Sequence, residues 1–385
     1  MKVLLAATGS ETFSGAYKCL IDLALGLIRK NVQVTITLPR DESDIKEELE
    51  YYHLPYVVFP EKRCWYVENE DIAIKTHIEN RVKRFINKRT IKNIRNYLKE
   101  NDFDIVHVNA STAYIVGYAA IQLQIPVVWH LREMLEEDLN IKFFDPSYSY
   151  RILNKASRCI AISNAVKEKW QNNIMTPIDV VYDGITIDDY FVKNKELQNP
   201  IKVLIYGRIV PGKGQLFFVK GAIKALKKIN VPVKFLIAGR IEDKGYFDEC
   251  IKLIEHHRVQ EQIQYIGEIN EIKELLAHIH IVCVCSRMEG FGRVTIESML
   301  GKCLVLAANT GATTEIITDK RNGLLYFYND IVDFSEKLVH SVNEFEKYSL
   351  LIENAQKEAK DNYSVTANIK RIYEIYTEIL NLKDH

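Results

Sequence analysis

The stretch Ile201–Leu226, "IKVLIYGRIVPGKGQLFFVKGAIKAL", runs from a mostly apolar segment through a Gly/Pro loop into residues spaced for a helix, and "VPVKFLIAGR" (Val231–Arg240) adds a second apolar run. An apolar run closed by Gly, a helix-period segment and another apolar run is the pattern of a βαβ unit. The chain opens on the same scheme. "KVLLAATGS" (Lys2–Ser10) leads into "SGAYKCLIDLALGLIRKNVQVTITL" (Ser14–Leu38), a helical segment followed by a strand. Two such openings divide the chain into halves, and a period this long is no solenoid repeat.

Further strands are expected at Ile105–Val108, Pro126–Trp129 and Arg158–Ile162 in the first half, and at Ile263–Ile266, His280–Cys285 and Cys303–Ala307 in the second. Strands alternating with helices imply parallel sheets covered on both faces, so the fold class is α/β with two Rossmann-like doubly wound domains facing a cleft. At 385 residues the chain exceeds what one core usually serves. "YFVKNKELQNP" (Tyr190–Pro200) is polar, lacks periodicity and ends in Pro, which makes it the expected linker. The domains are then 1–192, 200–365 and a C-terminal helix, 366–385. That helix carries an apolar stripe at Ile369, Ile372, Tyr373, Tyr376, Ile379 and Leu380, which needs a surface to cover and is expected to cross back to the N-terminal domain.

Lys and Arg total 51, as do Asp and Glu, so no global field attracts nucleic acid or another polyanion. The seven cysteines include no C-x-x-C pair and read as reduced thiols of a cytosolic protein. No apolar run is long enough to span a membrane, and "MKVLLAATGSE" is too short a run for a signal peptide. The expected location is cytoplasmic, at most peripheral to a membrane.

In "GRIVPGKG", Gly207, Gly212 and Lys213 satisfy most of a Walker A loop. The loop lacks the Ser or Thr that would hold magnesium, because Gly214 follows Lys213, and Pro211 removes an amide from any phosphate cradle. What remains is Arg208 and Lys213 at a strand end, ahead of a helix whose first amides favour anions. Together they can hold a diphosphate.

"SRMEGFGRVTIES" (Ser286–Ser298) sets Glu289 in a loop and Glu297 in a helix that begins near Arg293. Glycosidase carboxyls stand about 5 Å apart when retaining and roughly 6.5 to 9.5 Å apart when inverting, across one bond. A loop acid and a helix acid suit two tasks along an extended ligand instead, one on ribose hydroxyls and one on a sugar. The intervening glycines expose backbone amides and let a ligand approach closely.

"G-R-x4-K-G", "E-G-F-G-x4-E" and "NTGATTEIITDKRNGLLY" (Asn309–Tyr326), in that order within a second Rossmann-like half, resemble the retaining glycosyltransferases of family four, which have the GT-B architecture. "FSGAYKCLIDLALGL", "FDIVHVNAS" and "VVYDGITIDDY" extend the resemblance over nearly the whole chain. The resemblance implies a donor diphosphate on Arg208 and Lys213 and its ribose on Glu297. It sets the transferred sugar against Glu289 and the Gly290–Gly292 amides, Phe291 among them, with Val294 nearby, and the base along Gly267–Ile269. Gly15 falls where the family's paired glycines approach the phosphates, and Ser14 replaces the first of that pair. His130, in "VVWHLREM", matches the histidine that faces the donor sugar. Arg132 and Glu133 are candidates on the acceptor side, and His107, inside a strand, reads as structural.

The expected reaction moves a sugar from a nucleoside diphosphate donor, UDP-linked rather than GDP-linked, to a saccharide or lipid-linked saccharide, as in capsule or lipopolysaccharide assembly. No metal or other cofactor is expected. Asp102 and Asp104 form a D-x-D but precede a strand, and Glu136–Asp138 has no His or Cys at ligand spacing. Two rival readings are a nicotinamide oxidoreductase, for which both halves lack G-x-G-x-x-G, and a non-catalytic GT-B-like partner, which would be expected to have lost one of Arg208, Lys213, Glu289 or Glu297.

Arg81–Lys99, "RVKRFINKRTIKNIRNYLK", holds eight basic residues and no acid. As a helix it aligns Arg81, Arg84, Lys88, Lys92, Arg95 and Lys99 on one face, with Val82, Phe85, Ile86, Ile94, Tyr97 and Leu98 expected to pack inward. The face is either a solvated surface or a contact for anionic lipid.

Overall fold

The structure is a computed structural model that describes residues 1–8, 15–41, 43–67, 74–195, 199–269 and 271–382. The chain divides into two compact units, one of Met1–Gly184 with Val365–His385 and one of Ile185–Ser364.

In the first unit the strands are β1 (Lys2–Ala6), β2 (Gln33–Leu38), β3 (Tyr56–Val58), β4 (Trp65–Val67), β5 (Ile105–Val108), β6 (Val127–Leu131), β7 (Ile141–Phe143), β8 (Arg158–Ala161) and β9 (Ile178–Val180). Seven of them form one sheet in the order β3-β2-β1-β5-β6-β8-β9. The paired strands run parallel throughout it. β4 and β7 make a separate antiparallel ribbon. Burial is complete along β5 and β6, as expected of central strands covered on both faces.

The second unit contains β10 (Ile201–Tyr206), β11 (Val233–Ala238), β12 (Ile263–Tyr265), β13 (Ile281–Val284), β14 (Leu304–Ala308) and β15 (Leu324–Tyr326), ordered β12-β11-β10-β13-β14-β15 and parallel. In both sheets the chain starts near the middle, moves to one edge and then crosses to the other side. The crossing point in the second unit lies between β10 and β13, and strand ends beside such a reversal are where open α/β sheets bind ligands.

The division falls before Ile185, earlier than the polar stretch Tyr190–Pro200 suggests. Tyr190 and Val192 are buried in the second unit, where the Val192 amide donates to Leu300 O at 3.1 Å and Lys195 Nζ donates to the carbonyls of Gly301 and Lys302 at 2.9 Å. Polar composition marked a segment in which Val192 and Lys195 are tied down by backbone acceptors.

The C-terminal helix Val365–Asn381 lies in the first unit against the helix Gly15–Ile28. Ile369, Ile372, Ile375, Tyr376 and Ile379 are buried in that unit's core, with Tyr373 and Leu380 partly buried beside it. Gly26 makes the close crossing workable, since a Cβ there would run into the Ile369 side chain.

The helix Ile74–Asn101 contains the basic stretch and keeps only the second part of the expected inward face, Ile94, Tyr97 and Leu98. Phe85 is 76% exposed, Val82 53% and Ile86 40%, while Asn87, Thr90, Ile91, Ile94 and Leu98 are buried. Asn87 explains the correction. Its side chain accepts from the Lys62 amide and donates to Lys62 O, both at 2.9 Å, and lies 3.0 Å from the Tyr114 hydroxyl. An amide satisfied inside the fold takes the inward position and turns Val82, Phe85 and Ile86 outward. Arg81, Lys88, Arg89, Lys92 and Lys99 are exposed, Arg95 is half-buried, and Arg84 donates to Asp145 at 2.8 Å. Among the described residues no helix is long and apolar enough to cross a membrane.

Candidate functional site

Two clusters of chemistry-bearing side chains stand out, one in each unit. In the second unit β10 ends at Tyr206, the loop turns through Gly207 and Arg208, and a short 3-10 turn, Pro211–Lys213, delivers Lys213 to Gly214 at the N-terminus of the helix Gln215–Leu226. Gly214 has φ +78°, and a Cβ there would strike the Cys285 carbonyl at the end of β13, so Gly serves both the left-handed turn and the close approach. The Arg287 amide donates to Gly212 O at 2.9 Å and links this loop to the one after β13.

Lys213 Nζ donates to Glu289 Oε1 at 2.6 Å, and Ser286 Oγ donates to the same oxygen at 2.5 Å. The Glu289 carbonyl accepts from the Ala312 amide at 2.9 Å, which fixes the loop backbone. Arg208 is more exposed and lies 3.2 Å from Glu242, which also accepts from Arg240 at 2.9 Å. A pair as open as Arg208–Glu242 is worth at most about 1 kcal/mol and yields readily to a better anion. Both cations therefore stand at the strand end, each held by a carboxylate.

Gly292, at φ +92°, starts the helix Arg293–Leu300, which carries Glu297 on its second turn. Glu297 is buried, with Tyr206 OH 3.2 Å from Oε2 and Arg293 Nε 3.4 Å from Oε1. Burial, and then the Glu297 charge, push the Tyr206 hydroxyl well above its ordinary range, so it stays a proton donor. Glu289 and Glu297 are thus separately held, one by the 213 loop and one by β10. Gly290, Phe291 and Val294 complete the segment, Phe291 being buried with its ring 6.0 Å from that of Tyr363. Gly267 follows β12 with φ +88° and open space beside its Cα, its carbonyl accepts from the Gly239 amide at 2.8 Å, and Ile269 is half-buried next to it.

In the first unit, His130 near the end of β6 is fully buried. Its Nδ1 lies 3.2 Å from His107 Nε2 on β5, and the Tyr376 hydroxyl lies 2.7 Å from His107 Nδ1. Arg132 forms a buried pair with Asp183, its NH1 2.6 and 2.7 Å from the two carboxylate oxygens, donates from Nε to Asn109 at 2.9 Å, and brings NH2 within 3.4 Å of His130 Nδ1. Burial first and the Arg132 charge second hold both imidazoles neutral, His107 down to about 3 and His130 well below the usual range.

Glu133 accepts from the Ser111 amide and hydroxyl and from the Arg132 amide at 2.8–3.0 Å, and burial raises it to about 7. The two residues expected on the acceptor side are therefore committed to internal partners. Gly15 is exposed at the start of its helix; Ser14, the departure noted in the sequence, lies outside the described residues. Asp102 sits in a left-handed turn, and Asp104 accepts from the Lys2 amide at 2.7 Å, so each has a backbone task beside β5 and β1. Glu136 and Glu137 both hold Lys169, and Asp138 accepts from the Met134 amide.

Sequence reasoning gave no site role to Tyr206, Ser286, Glu242, Asp183 or Tyr376, the last being read only as part of an apolar stripe. Asp183 alone had a local signal, an Asp-Gly at the end of an apolar run, whereas the others gain their roles through neighbours distant in sequence.

The family described as Glycosyltransferase Family 4 matches residues 13–189, and the family of group 1 glycosyl transferases matches residues 186–358. An uncharacterized glycosyltransferase of Methanocaldococcus jannaschii is 25% identical over 82% of this chain and 88% of its own length. A Campylobacter jejuni diNAcBac-PP-undecaprenol glycan alpha-1,4-N-acetyl-D-galactosaminyltransferase is 23% identical over 70% and 73%. Among solved structures, Anabaena HepE in complex with UDP superposes with a TM-score of 0.78 at 22% identity, over 98% of this chain and all of that one. A glycosyltransferase from Rickettsia africae gives 0.81 at 21% identity over 98% of both chains.

Proposed function

The chain belongs to glycosyltransferase family 4, and on that premise we propose that it moves a sugar from a nucleoside diphosphate donor to an acceptor hydroxyl with retention at the anomeric carbon. The observation that carries the reading is the grouping of Arg208, Lys213 and the separately held Glu289 and Glu297 around the ends of β10 and β13. Departure of the diphosphate concentrates negative charge, and two cations with the amides of a helix N-terminus meet it. A metal is then not required. The ion pairs of Lys213 with Glu289 and of Arg208 with Glu242 open as phosphate oxygens replace the carboxylates, which frees Glu289 for sugar hydroxyls. Glu297, held by Tyr206, takes the ribose. Gly267 and Ile269 meet the base, Gly15 approaches the phosphates, and His130 faces the transferred sugar.

UDP is the favoured nucleotide, in keeping with the UDP complex of the Anabaena protein. A lipid-linked saccharide is the favoured acceptor, in keeping with the undecaprenol-linked substrate in the name of the Campylobacter relative. The helix Ile74–Asn101 supports peripheral attachment to an anionic membrane at the cytoplasmic face. Its exposed Arg81, Lys88, Arg89, Lys92 and Lys99 share the helix with exposed Val82 and Phe85, a mixture suited to the interfacial region of a bilayer.

Thermal shift against a panel of nucleotides and nucleotide sugars tests the donor. A ligand at a hundred times its dissociation constant stabilises by about 2.7 kcal/mol, so UDP and one UDP-sugar are expected to raise Tm while NAD and NADP do not. A nicotinamide response with no nucleotide-sugar response would overturn the reading.

A further inference from the structure

The Tyr376–His107–His130 chain has only one consistent direction for its protons. An arginine can donate but not accept, so Arg132 NH2, 3.4 Å from His130 Nδ1, marks that nitrogen as an acceptor. His130 is neutral and then carries its proton on Nε2. His107 Nε2, 3.2 Å from the same His130 Nδ1, must be the donor in that contact, which leaves His107 Nδ1 as an acceptor. The Tyr376 hydroxyl, 2.7 Å away, supplies the proton that Nδ1 accepts. Tyr376 is itself fully buried, and burial keeps its hydroxyl protonated. At the far end, His130 Nε2 is buried and has no hydrogen-bond partner among the described residues. An unpaired buried donor is costly, and a ligand oxygen would satisfy it.

We propose that Tyr376, on the C-terminal helix, is a positioning residue that works through His107, alongside the longer Arg132 contact, to hold His130 in the Nε2–H form, so that His130 acts solely as a hydrogen-bond donor to an oxygen of the transferred sugar. The inference rests on the reading that His130 faces that sugar. It gives the return of the C-terminal helix to the first unit a catalytic consequence beyond packing, because the helix delivers the hydroxyl that sets the tautomers. It also defines the ligand atom: one with a lone pair to offer, a hydroxyl or carbonyl oxygen rather than an ammonium.

The test is long-range proton–nitrogen correlation on the ¹⁵N-labelled full chain, with donor kinetics in parallel. Wild type should show His107 and His130 as single Nε2–H tautomers. Tyr376→Phe keeps the ring and removes the hydroxyl. It should mix the tautomers of His107, leave the 3.4 Å Arg132 contact alone to hold His130, and lower kcat about tenfold while UDP affinity is unchanged. Should Tyr376→Phe not fold, His107→Gln and His107→Phe replace it. The glutamine amide can still donate to His130 Nδ1, so its loss of kcat should be smaller than that of the phenylalanine variant. An Nδ1–H tautomer at His130 in wild type, or full transfer by Tyr376→Phe or by His107→Phe, overturns the relay. His130→Ala separates the two layers: if it cuts transfer while Tyr376→Phe does not, only the relay falls, and if both are silent, the sugar-facing reading falls and the relay's role with it.

Discussion

Lys213 and Glu289, 76 residues apart, meet with Nζ 2.6 Å from Oε1 because they follow β10 and β13, which are neighbours in the sheet despite the two strands between them in sequence. Ser286 Oγ shares that oxygen, so Glu289 would keep a partner if the lysine turned, as proposed, to a phosphate.

Removing Lys213 should therefore damage transfer more than it damages the fold. Lys213→Ala is expected to lower kcat/KM on the order of a hundredfold, as loss of one donor to a developing anion typically does. Steady-state rates with the donor found by thermal shift check this, and a wild-type rate would remove the diphosphate clamp.

The two acids should separate in calorimetry with the bare nucleotide. Glu297→Ala is expected to weaken UDP binding by about tenfold or more, since the ribose is common to nucleotide and donor and a charged hydrogen bond is worth about 1.5–3 kcal/mol. Glu289→Ala should leave UDP binding near wild type and reduce transfer. Equal losses of UDP affinity would mean that the roles are misassigned.

Transfer is expected to survive EDTA unchanged, and proton spectra of the product should show the donor's anomeric configuration retained. Loss of activity on chelation, restored by a divalent cation, would return attention to Asp102 and Asp104. An inverted anomer would contradict the retaining mechanism.

Vesicle sedimentation reads the exposed face of the helix Ile74–Asn101. Binding to anionic vesicles at low salt should fall in Phe85→Ser, and fall further when Lys88, Arg89 and Lys92 become Glu, at about 1 kcal/mol for each basic residue near the surface. Raising the salt should weaken the charge contribution and spare the apolar one. Equal sedimentation of wild type and charge-reversed protein would leave an ordinary wet helix face.

Glu61 supplies a pH signature in the first unit. Burial raises its carboxyl to about 8, against backbone hydrogen bonds from Tyr114 and Ile115 that pull the other way. Between the unfolded value near 4.5 and 8 the native state binds more protons at this group than the unfolded state does, so its contribution to stability falls as pH rises. Glu61→Gln lacks that loss. Its Tm should match wild type near pH 4.5 and exceed it by several degrees at pH 8, a shift of this size being worth on the order of a few kcal/mol.

Much of the architecture was legible locally. Apolar runs located β5, β6, β8, β12, β13 and β14 to within one or two residues, though the short edge strands β3, β9 and β15 gave no such signal, and the stripe at Ile369, Ile372, Tyr376 and Ile379 announced a helix that needed a partner. Glu289 in a loop and Glu297 on a helix followed from residue types and spacing, because periodicity and turn chemistry act over a few residues. What the spacing could not carry was the set of contacts made across strands and between distant helices. The strand order places Lys213 beside Glu289 and His107 beside His130, and the C-terminal helix brings Tyr376 to His107 from 269 positions away. Asn87 turned Val82, Phe85 and Ile86, the first part of a predicted inward face, outward because its amide found Lys62 and Tyr114, neither of them on its own helix. Hydrogen bonds of this kind depend on how elements pack, so the sequence determined which residues could do the chemistry, and the tertiary structure decided which of them hold one another in position.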